Sequence, residues 1–414
     1  MVEQRKPIPV SQAVEQVVEQ AHPLGTETVA LEDSYGRILA EPIKAAHDVP
    51  PFNRSPYDGF ALRSADTAGA SGERRVRFEV IDHIGAGEVS GKSLTSHTAV
   101  RIMTGALLPE GADAVAMFEQ TVDSGDSFTI RKPFEPMENV SLQGEDAKQG
   151  ETIIDSGGLI HPGTIALLAT FGYARVAVSK QPVVGILSTG TELLDVSEPL
   201  SPGKIRNSNG PMIAAQLRRM GIHCKLYGMS EDRLEESFAV VKKAAEETDC
   251  LITTGGVSVG DFDFLPAIYE RLGAKVLFNK VAMRPGSVTT VAVANGRYLF
   301  GLSGNPSACF TGFELFVRPA LLKMMGAEKI YLPKTTAILK EDFTKANPFT
   351  RFIRATYDGT YATPAGFNKS NAVSSIARGN ALIVLPGGTR GFSAGDSVDV
   401  LLLGVEEGVQ QWQL

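Results

Sequence analysis

The sequence predicts a multidomain α/β protein with a mostly parallel central sheet, and three features of its 414 residues support this fold class. Strands alternate with helices over residues 182–326, which is typical of a parallel sheet covered by helices. Short strands separated by glycine turns fill residues 48–146 and recur over residues 327–414. Because the chain is longer than one hydrophobic core usually serves, we interpret these changes of pattern as domain boundaries.

The N-terminal residues 1–47 predict a mixed α/β segment. Val10, Val14 and Val17 recur at helical spacing. Residues 28–31 predict a short strand, and a second helix is expected over residues 34–40.

A β-rich domain, residues 48–146, follows and is expected to be an insertion. Residues 147–181 return to the mixed pattern, with a helix predicted over residues 163–171 and a strand over residues 175–178. We therefore expect residues 1–47 and 147–181 to form one discontinuous N-terminal domain.

The central domain, residues 182–326, is expected to bind a ligand at one edge of its sheet. The loops 188–190 and 253–260 each follow a strand, and ligands collect at the carboxyl ends of strands in open α/β sheets. An Asn-Gly turn predicts a hairpin over residues 288–300, which delivers residues 301–307 to the same edge. The predicted strands are residues 183–187, 223–227 and 251–253, and the predicted helices are residues 210–220, 233–248 and 264–272.

The C-terminal domain, residues 327–414, predicts a small β-barrel. Glycine turns separate its strand-like segments, as in small antiparallel barrels. These segments are residues 335–339, 352–357, 381–385 and 397–403.

Composition excludes several classes of protein. The net charge is -7 and 21% of residues are charged, so we expect no nucleic-acid partner. Cys224, Cys250 and Cys309 lie far apart, which predicts neither a disulfide framework nor a thiolate metal site. No signal peptide is apparent, and polar residues interrupt the longest apolar stretch, residues 165–178. We expect a cytoplasmic protein without a membrane span.

The segment 250–263 predicts a seat for an anion. A short strand, a glycine-rich loop and a helix start follow one another, and amides at a helix start carry partial positive charge. Asp261 and Asp263 would repel an anion there unless a hard cation such as Mg²⁺ bridges them. Lys280 and Arg284, four residues apart, add positive charge.

The phosphate-binding loop G-x-x-x-x-G-K-[ST], the dinucleotide fingerprint G-x-G-x-x-G and the zinc motif H-E-x-x-H are absent from the sequence.

Simpler explanations exist for several of these residues. Asp232 and Glu235 have the spacing of a capping box at a helix start. Asp58 could simply form a turn, and Lys280 and Arg284 could be solvated surface charges.

Six short segments, in a fixed order, make the chain similar to a known family. They are Ser-Pro-Tyr-Asp-Gly-Phe-Ala at 55–61, Arg-Ile-Met-Thr-Gly-Ala at 101–106, Gly-Glu-Asp at 144–146, Ser-Thr-Gly-Thr-Glu-Leu at 188–193, Thr-Gly-Gly-Val-Ser-Val-Gly-Asp-Phe-Asp at 254–263 and Gly-Asn-Pro at 304–306. With them the chain resembles the MoeA-type molybdopterin molybdenumtransferases, the family that includes the gephyrin E domain. The chain departs from the family at Arg284, where many members have lysine, at Ser303, where many have proline, and at Ser287-Val288, where many have Lys-Pro.

The resemblance implies four domains, a reaction and an assembly. Residues 1–47 with 147–181 would serve as linker and dimerisation domain, and residues 182–326 as a molybdopterin-binding domain like the MoaB and Mog proteins. The implied reaction inserts molybdate into adenylylated molybdopterin and releases AMP, with Mg²⁺ required. The implied assembly is a homodimer, whose cleft joins the α/β domain of one subunit to the inserted domain of the other. A transient contact with the molybdopterin adenylyltransferase would deliver the substrate.

The resemblance also implies roles for individual residues. Asp58 and Thr104 would reach the cleft from the second subunit, and Asp232 and Asp263 would hold the metal. The implied catalytic residues are Asp58, Thr104, Asp146, Glu192, Asp232 and Asp263. The implied substrate-binding and anion-binding residues are Ser188, Thr189, Gly190, Gly255, Gly256, Ser258, Lys280, Arg284, Ser303, Asn305, Pro306, Arg354 and Ser370.

Two other functions stay open at this point. The chain could be a non-catalytic molybdate-binding, pterin-binding or gephyrin-like scaffold protein, although a scaffold would have no need for Asp58 and Asp263. It could also be a nucleotide hydrolase built on a similar α/β domain. AMP release that requires both molybdate and adenylylated molybdopterin would separate the three.

Overall fold

A computed structural model describes residues 6–230, 234–256 and 265–404 of the chain. Three predicted helices, over residues 163–171, 210–220 and 233–248, are confirmed within one or two residues at each end. The α-helices of the described residues are α1 Val10–Gln20, α2 Pro162–Thr170, α3 Asn209–Arg219, α4 Leu234–Glu247, α5 Leu265–Arg271, α6 Pro306–Gly312, α7 Arg318–Met324 and α8 Ser374–Arg378. A π-helical segment, Phe313–Val317, joins α6 to α7.

The strands follow the predicted order closely in the central and C-terminal parts of the chain. They are β1 Thr26–Ala30, β2 Ile43–Lys44, β3 Gly59–Leu62, β4 Val76–Ile84, β5 Thr98–Ile102, β6 Ala114–Met117, β7 Thr121–Asp123, β8 Ser127–Ile130, β9 Thr152–Ile154, β10 Arg175–Ser179, β11 Val184–Thr189, β12 Leu193–Leu194, β13 Ile205–Arg206, β14 Cys224–Ser230, β15 Cys250–Thr254, β16 Lys275–Phe278, β17 Met283–Arg284, β18 Thr290–Ala294, β19 Arg297–Leu302, β20 Lys334–Leu339, β21 Thr350–Tyr357, β22 Tyr361–Pro364, β23 Ala381–Leu385 and β24 Ser397–Leu402.

The second predicted helix, over residues 34–40, is wrong. A single 3-10 turn, Leu31–Asp33, precedes an extended segment there. Gly36 has φ +75° and its N–H donates to the carbonyl of Ile160, which breaks any helix at this point. Ile38 and Leu39 then form β-bridges to Leu159 and Val178. Long-range strand pairing therefore overrides the local helical spacing.

The residues divide into two compact units. The first contains residues 1–40, 157–162 and 175–414, and the second contains residues 41–156 and 163–174. The four-domain division stays a prediction, because these two units do not resolve it.

A six-stranded sheet forms the centre of the first unit. Its strand order is β14-β11-β15-β19-β18-β16. The first four strands are mutually parallel. Strand β18 pairs antiparallel with β19, and β16 pairs antiparallel with β18. The predicted hairpin is confirmed: β18 and β19 are joined by Asn295-Gly296, both at positive φ, as a tight hairpin turn requires. The sheet is therefore mixed but mostly parallel, as the sequence indicates.

Helices cover both faces of this sheet. Alternate residues of β11 point to opposite sides, so Ile186 packs with Val17 of α1 and Leu217 of α3. Leu187 packs in a separate cluster with Val241 of α4. Because helices cover both faces, a ligand can reach the sheet only at its edges and ends. The loops at the carboxyl ends of the strands are the expected binding site.

The C-terminal strands of the first unit close into a barrel. The pairings β21-β22-β20-β24-β23 form a ring, since β23 also pairs with β21. The short strand β17 pairs in parallel with the start of β21, so a segment that leaves the α/β sheet also extends the barrel. This pairing ties the two parts of the unit together.

The second unit is β-rich, as the sequence predicts. Its sheet has the order β6-β3-β5-β4-β8-β7, and β2 pairs with β9. Phe60 and Phe128 stack with ring centroids 3.9 Å apart, and Phe78 also stacks with Phe128, at 5.4 Å. No helix among the described residues of the chain is long and apolar enough to cross a membrane.

A buried carboxylate holds several helices of the first unit together. The side chain of Glu314, in the π-helical segment, is fully buried and accepts hydrogen bonds from Arg219 (2.6 Å) and Gln216 (2.8 Å) of α3. Its other oxygen lies 4.0 Å from Nε of Arg318 at the start of α7. Arg219 also donates to the carbonyl of Leu403, beyond the last barrel strand. Glu314 thus orients an arginine that reaches from α3 to the barrel.

We expect Glu314→Ala to lower the free energy of unfolding by about 3–5 kcal/mol, because it removes the buried carboxylate beside Arg318 and the acceptor of the Gln216 side chain. Urea denaturation of the variant and the unchanged protein measures this difference. Glu341→Ala, which removes an exposed carboxylate, is the matched control. A Glu314→Ala protein as stable as this control would contradict the assignment.

Candidate functional site

A large cleft lies within the first unit, between loops of the α/β sheet and strands of the barrel. Its volume is 740 Å³. The α/β side contributes Glu192, Ile205, Gly255, Gly256, Arg284, Pro285, Gly286, Ser287, Val288, Ser303, Gly304, Asn305 and Ala308. The barrel side contributes Lys345, Arg351, Phe352, Ile353, Arg354, Asn368, Lys369, Ser370 and Asn371.

Two loops that follow strands β11 and β15 form the α/β side of the cleft. The sequence predicts that they are neighbours, and their described residues are in contact. Oγ1 of Thr189 donates to the carbonyl of Thr254 (3.3 Å). Gly255 has φ +90°, and a Cβ there would lie 2.4 Å from the carbonyl oxygen of Thr189. Only glycine fits such a close approach of two backbones, so Gly255 is a requirement of the cleft.

Two asparagines that sequence reasoning missed hold these loops in place. Nδ2 of Asn207 donates to Oγ of Ser188 (3.0 Å), and Nδ2 of Asn209 donates to the carbonyl of Gly304 (2.9 Å). Asn209 begins α3 and is buried. The polar run Asn-Ser-Asn-Gly at residues 207–210, directly before a helix, is the signal that could have revealed them.

Arg354 is the most unusual side chain of the cleft, because it is a cation that is only 1% exposed. Its Nε donates to Oγ of Ser375 (3.2 Å) and one terminal nitrogen donates to the carbonyl of Lys369 (3.2 Å). None of the ion pairs in the described chain involves Arg354. Burial lowers the pKa of Arg354 to about 10, which still leaves it charged at neutral pH.

The cleft as a whole is strongly cationic. Five of its lining side chains are positive, Arg284, Lys345, Arg351, Arg354 and Lys369, whereas Glu192 is the one carboxylate among the described lining residues. Within the described ranges, none of the six forms an ion pair with a protein side chain. Arg354 is buried and Arg351 is half-buried, while the other three cations are exposed. The lining thus carries an excess of positive charge without carboxylate partners, as an anion-binding site requires.

The structure brings together about half of the residues that the resemblance implicates. Those that line the cleft are Glu192, Gly255, Gly256, Arg284, Ser303, Asn305, Arg354 and Ser370. Ser188 and Thr189 end β11, and Gly190 follows with φ +146°, where a Cβ would lie 2.6 Å from the carboxylate of Glu192. Pro306 begins α6.

Other predicted site residues lie elsewhere or cannot be placed. Lys280 is not part of the cleft lining, and its carbonyl accepts a hydrogen bond from Ile8. Asp232, Ser258 and Asp263 lie outside the described residues. Within the described part of the chain, no group of three or more acidic, histidine or cysteine side chains is arranged to hold a metal ion.

The second unit presents a separate, exposed carboxylate. Oδ1 of Asp58 accepts hydrogen bonds from the amide (2.7 Å) and from Oγ1 (2.8 Å) of Thr104. These hydrogen bonds hold the pKa of Asp58 below its ordinary value, and the bond from the Thr104 amide has the larger effect. Gly59 fixes the backbone beside it, since a Cβ there would lie 2.1 Å from the carbonyl oxygen of Ala116. Asp58 and Thr104, which are predicted to act together, are therefore in direct contact. The third predicted residue of this unit, Asp146, is exposed.

Three family models match successive parts of the chain. The "MoeA N-terminal region (domain I and II)" matches residues 8–172, a "probable molybdopterin binding domain" matches residues 185–323, and the "MoeA C-terminal region (domain IV)" matches residues 336–403. Together they cover most of the chain in the order that the family has.

Similar proteins agree with these matches. A molybdopterin molybdenumtransferase from Staphylococcus aureus (strain Mu50) is 59% identical over 406 residues, which is 97% of each chain. One from Staphylococcus epidermidis is 58% identical over 405 residues, with the same coverage. The crystal structure of a molybdopterin biosynthesis moeA protein from Pyrococcus horikoshii OT3 superposes with a TM-score of 0.84 at 31% identity, covering 96% of this chain and 100% of that one.

We expect Thr104→Val to raise the pKa of Asp58 toward its ordinary value of 3.8, because one of the two donors to the carboxylate is lost. The folded pKa is depressed, so the stability from Asp58 is present above pH 3.8 and is lost as the pH falls through the folded value. NMR titration of the Asp58 carboxyl carbon measures the change. Thr129→Val, on β8 of the same unit, should leave the titration as it is. An unchanged Asp58 pKa in Thr104→Val would show that the hydroxyl does not bind the carboxylate in solution.

We expect Arg354→Met to abolish most of the stabilisation that a small oxyanion gives the protein. With sodium molybdate at about 100 times its Kd, the unchanged protein should gain about 2.7 kcal/mol in unfolding free energy. The variant should gain far less, because its buried cation is gone. Denaturation with and without molybdate measures the gain, and Arg378→Met in α8 is the control. An equal gain in Arg354→Met would place the anion elsewhere.

Proposed function

Because this chain belongs to the MoeA family of molybdopterin molybdenumtransferases, which are transferases of molybdenum cofactor biosynthesis, we propose that its cleft inserts molybdate into adenylylated molybdopterin and releases AMP. Buried Arg354, without a carboxylate partner in the described chain, is the observation that carries this proposal. Both substrates are anions, and both need positive charge that the protein has not already neutralised.

The shape and charge of the cleft support this reaction. Its volume of 740 Å³ is within the range of sites for small molecules and cofactors. A cation about 4 Å from an oxyanion gains about 4 kcal/mol at an effective dielectric of 20, and several such cations line the cleft. The polar side chains of Ser303, Asn305 and Ser370 add hydrogen-bond partners around the charges.

Positioning and electrostatics carry the proposed catalysis. Cys250 and Cys309 are poor nucleophiles, because burial raises the pKa of both thiols. We propose instead that an oxygen of molybdate or of water forms a bond to the phosphorus of the AMP moiety. The bond from that phosphorus to the bridging oxygen breaks, and the terminal phosphate stays on molybdopterin. If water attacks, it releases a proton and AMP forms directly. If molybdate attacks, the Mo–O bond of the adenylyl-molybdate anhydride then breaks as molybdenum bonds to the two sulfurs of molybdopterin, whose protons leave with molybdate oxygen as water, and the attacking oxygen stays in AMP. The cleft arginines would neutralise charge on both phosphates as this happens.

Mg²⁺ is part of the proposal. When bound, it would neutralise charge on the phosphates. The residues proposed to hold it are Asp232 and Asp263, which lie outside the described residues, with Glu192 supplying a carboxylate at the cleft. Oxygen ligands of this kind suit a hard divalent cation.

We further propose that the working form is a homodimer. Asp58 and Thr104 form an exposed, hydrogen-bonded pair that a second copy of the chain could present to this cleft. A fixed carboxylate on the surface suits contact with a metal-bound phosphate or with the pterin. The cytoplasm is the proposed location, and a transient contact with the adenylyltransferase is the proposed route of delivery.

The test is a measurement of AMP release with adenylylated molybdopterin, Mg²⁺ and molybdate. The unchanged protein and Arg378→Met should release AMP only when both substrates are present, while Arg354→Met should be slower by about 100-fold or more. Reaction in ¹⁸O-labelled water, or with labelled molybdate, shows which oxygen enters AMP. Label in AMP from neither source would overturn the proposed attack.

The same assay separates the alternatives. Binding of both substrates without any AMP release would favour a scaffold protein. AMP release that is independent of molybdate would favour a nucleotide hydrolase.

A further inference from the structure

Two arginines of the cleft face each other across paired strands. Met283 and Arg284 of β17 pair in parallel register with Thr350 and Arg351 of β21. Arg284 and Arg351 are therefore direct neighbours, and both line the cleft. The first comes from the segment that leaves the α/β sheet and the second from the barrel.

This pairing is unfavourable without a negative partner. Like charges at paired positions of a sheet repel each other. Burial lowers the pKa of Arg351, and the charge of Arg284 lowers it further. In the parts of the chain that the structure describes, neither arginine forms an ion pair with a carboxylate. The arrangement thus concentrates positive charge that a bound anion would neutralise.

Arg351 is held so that part of its guanidinium stays available. Its Nε donates to Oδ1 of Asn347 (2.8 Å), and its guanidinium carbon lies 5.0 Å from the centre of the Phe343 ring. No hydrogen bond of its two terminal nitrogens is found within the described ranges. The planar edge of an arginine fork matches two oxygens of an oxyanion.

A second layer of contacts fixes the residue that orients Arg351. Asn347 is 1% exposed, and its Nδ2 donates to Oγ1 of Thr389 (3.1 Å). Its backbone N–H donates to the carbonyl of Thr389 (2.9 Å). Asn347 therefore keeps its carbonyl oxygen toward Arg351, which lowers the entropic cost of anion binding at this position.

We propose that Arg351 is a further anion-binding residue of the cleft, and that it forms a subsite for a tetrahedral oxyanion with Arg284, which the resemblance already implicates. Arg354 lines the same cleft and is held by Ser375 and the carbonyl of Lys369. The identity of the anion rests on the proposed function: it is molybdate or a phosphate of the adenylylated substrate. Arg351 was not among the residues that the sequence indicated.

The test uses isothermal titration calorimetry on the full chain with three probes: sodium molybdate, AMP and inorganic phosphate. Arg351→Met removes the cation, and Arg351→Lys keeps the charge without the planar fork. Arg378→Met, an arginine change in α8 and outside the cleft lining, is the control. We expect Arg351→Met to weaken binding of at least one probe about 10-fold or more, Arg351→Lys to restore part of the affinity, and the control to change nothing.

The pattern across the probes identifies the anion. Weaker molybdate binding alone assigns the subsite to molybdate, whereas weaker AMP or phosphate binding assigns it to the substrate phosphate. Unchanged affinity for all three probes in Arg351→Met overturns the proposal. Lower thermal stability with unchanged affinities would show that Arg351 only packs against Phe343. Absence of AMP release by the unchanged protein would overturn the proposed function instead, since the titrations do not depend on turnover.

Discussion

The parallel pairing of β17 with β21 is the constraint on which the cleft depends. A two-residue strand from the α/β part of the first unit adds to the barrel, so both walls of the cleft have fixed positions. The hydrogen bond from Arg219 to the carbonyl of Leu403 makes a second tie, and buried Glu314 holds that arginine in place. Ser307 of α6 adds further ties, since its amide donates to the carbonyl of Ser370 (3.0 Å) and its hydroxyl to the carbonyl of Ala372 (2.6 Å).

The charge of the cavity is the basis for the proposal that it binds anions. Most proteins pair or expose their charges, whereas Arg354 is buried with a hydroxyl and a carbonyl as its partners. A buried cation with neutral partners is costly for folding, and a bound anion would offset that cost. Charge that is unfavourable for folding can thus be favourable for binding, as is common at functional sites.

The supporting residues are as informative as the charged ones. Asn207 and Asn209 orient the loops below the cleft, and Asn347 orients Arg351. Gly255 is required by a close approach of two backbones rather than by any contact with a ligand. Uncharged residues thus set the geometry in which the arginines act.

The sequence by itself determined the α/β alternation, the hairpin at Asn295-Gly296, the barrel strands and the family, because each rests on local patterns or on short motifs in order. It also marked Asp58 and Thr104, 46 residues apart, which proved to be in contact. Only the tertiary structure decided that residues 34–40 are extended, that Lys280 does not line the cleft and that Arg351 does. Strand pairing between distant segments settles these points, and no local spacing encodes which strand a two-residue segment such as β17 will join.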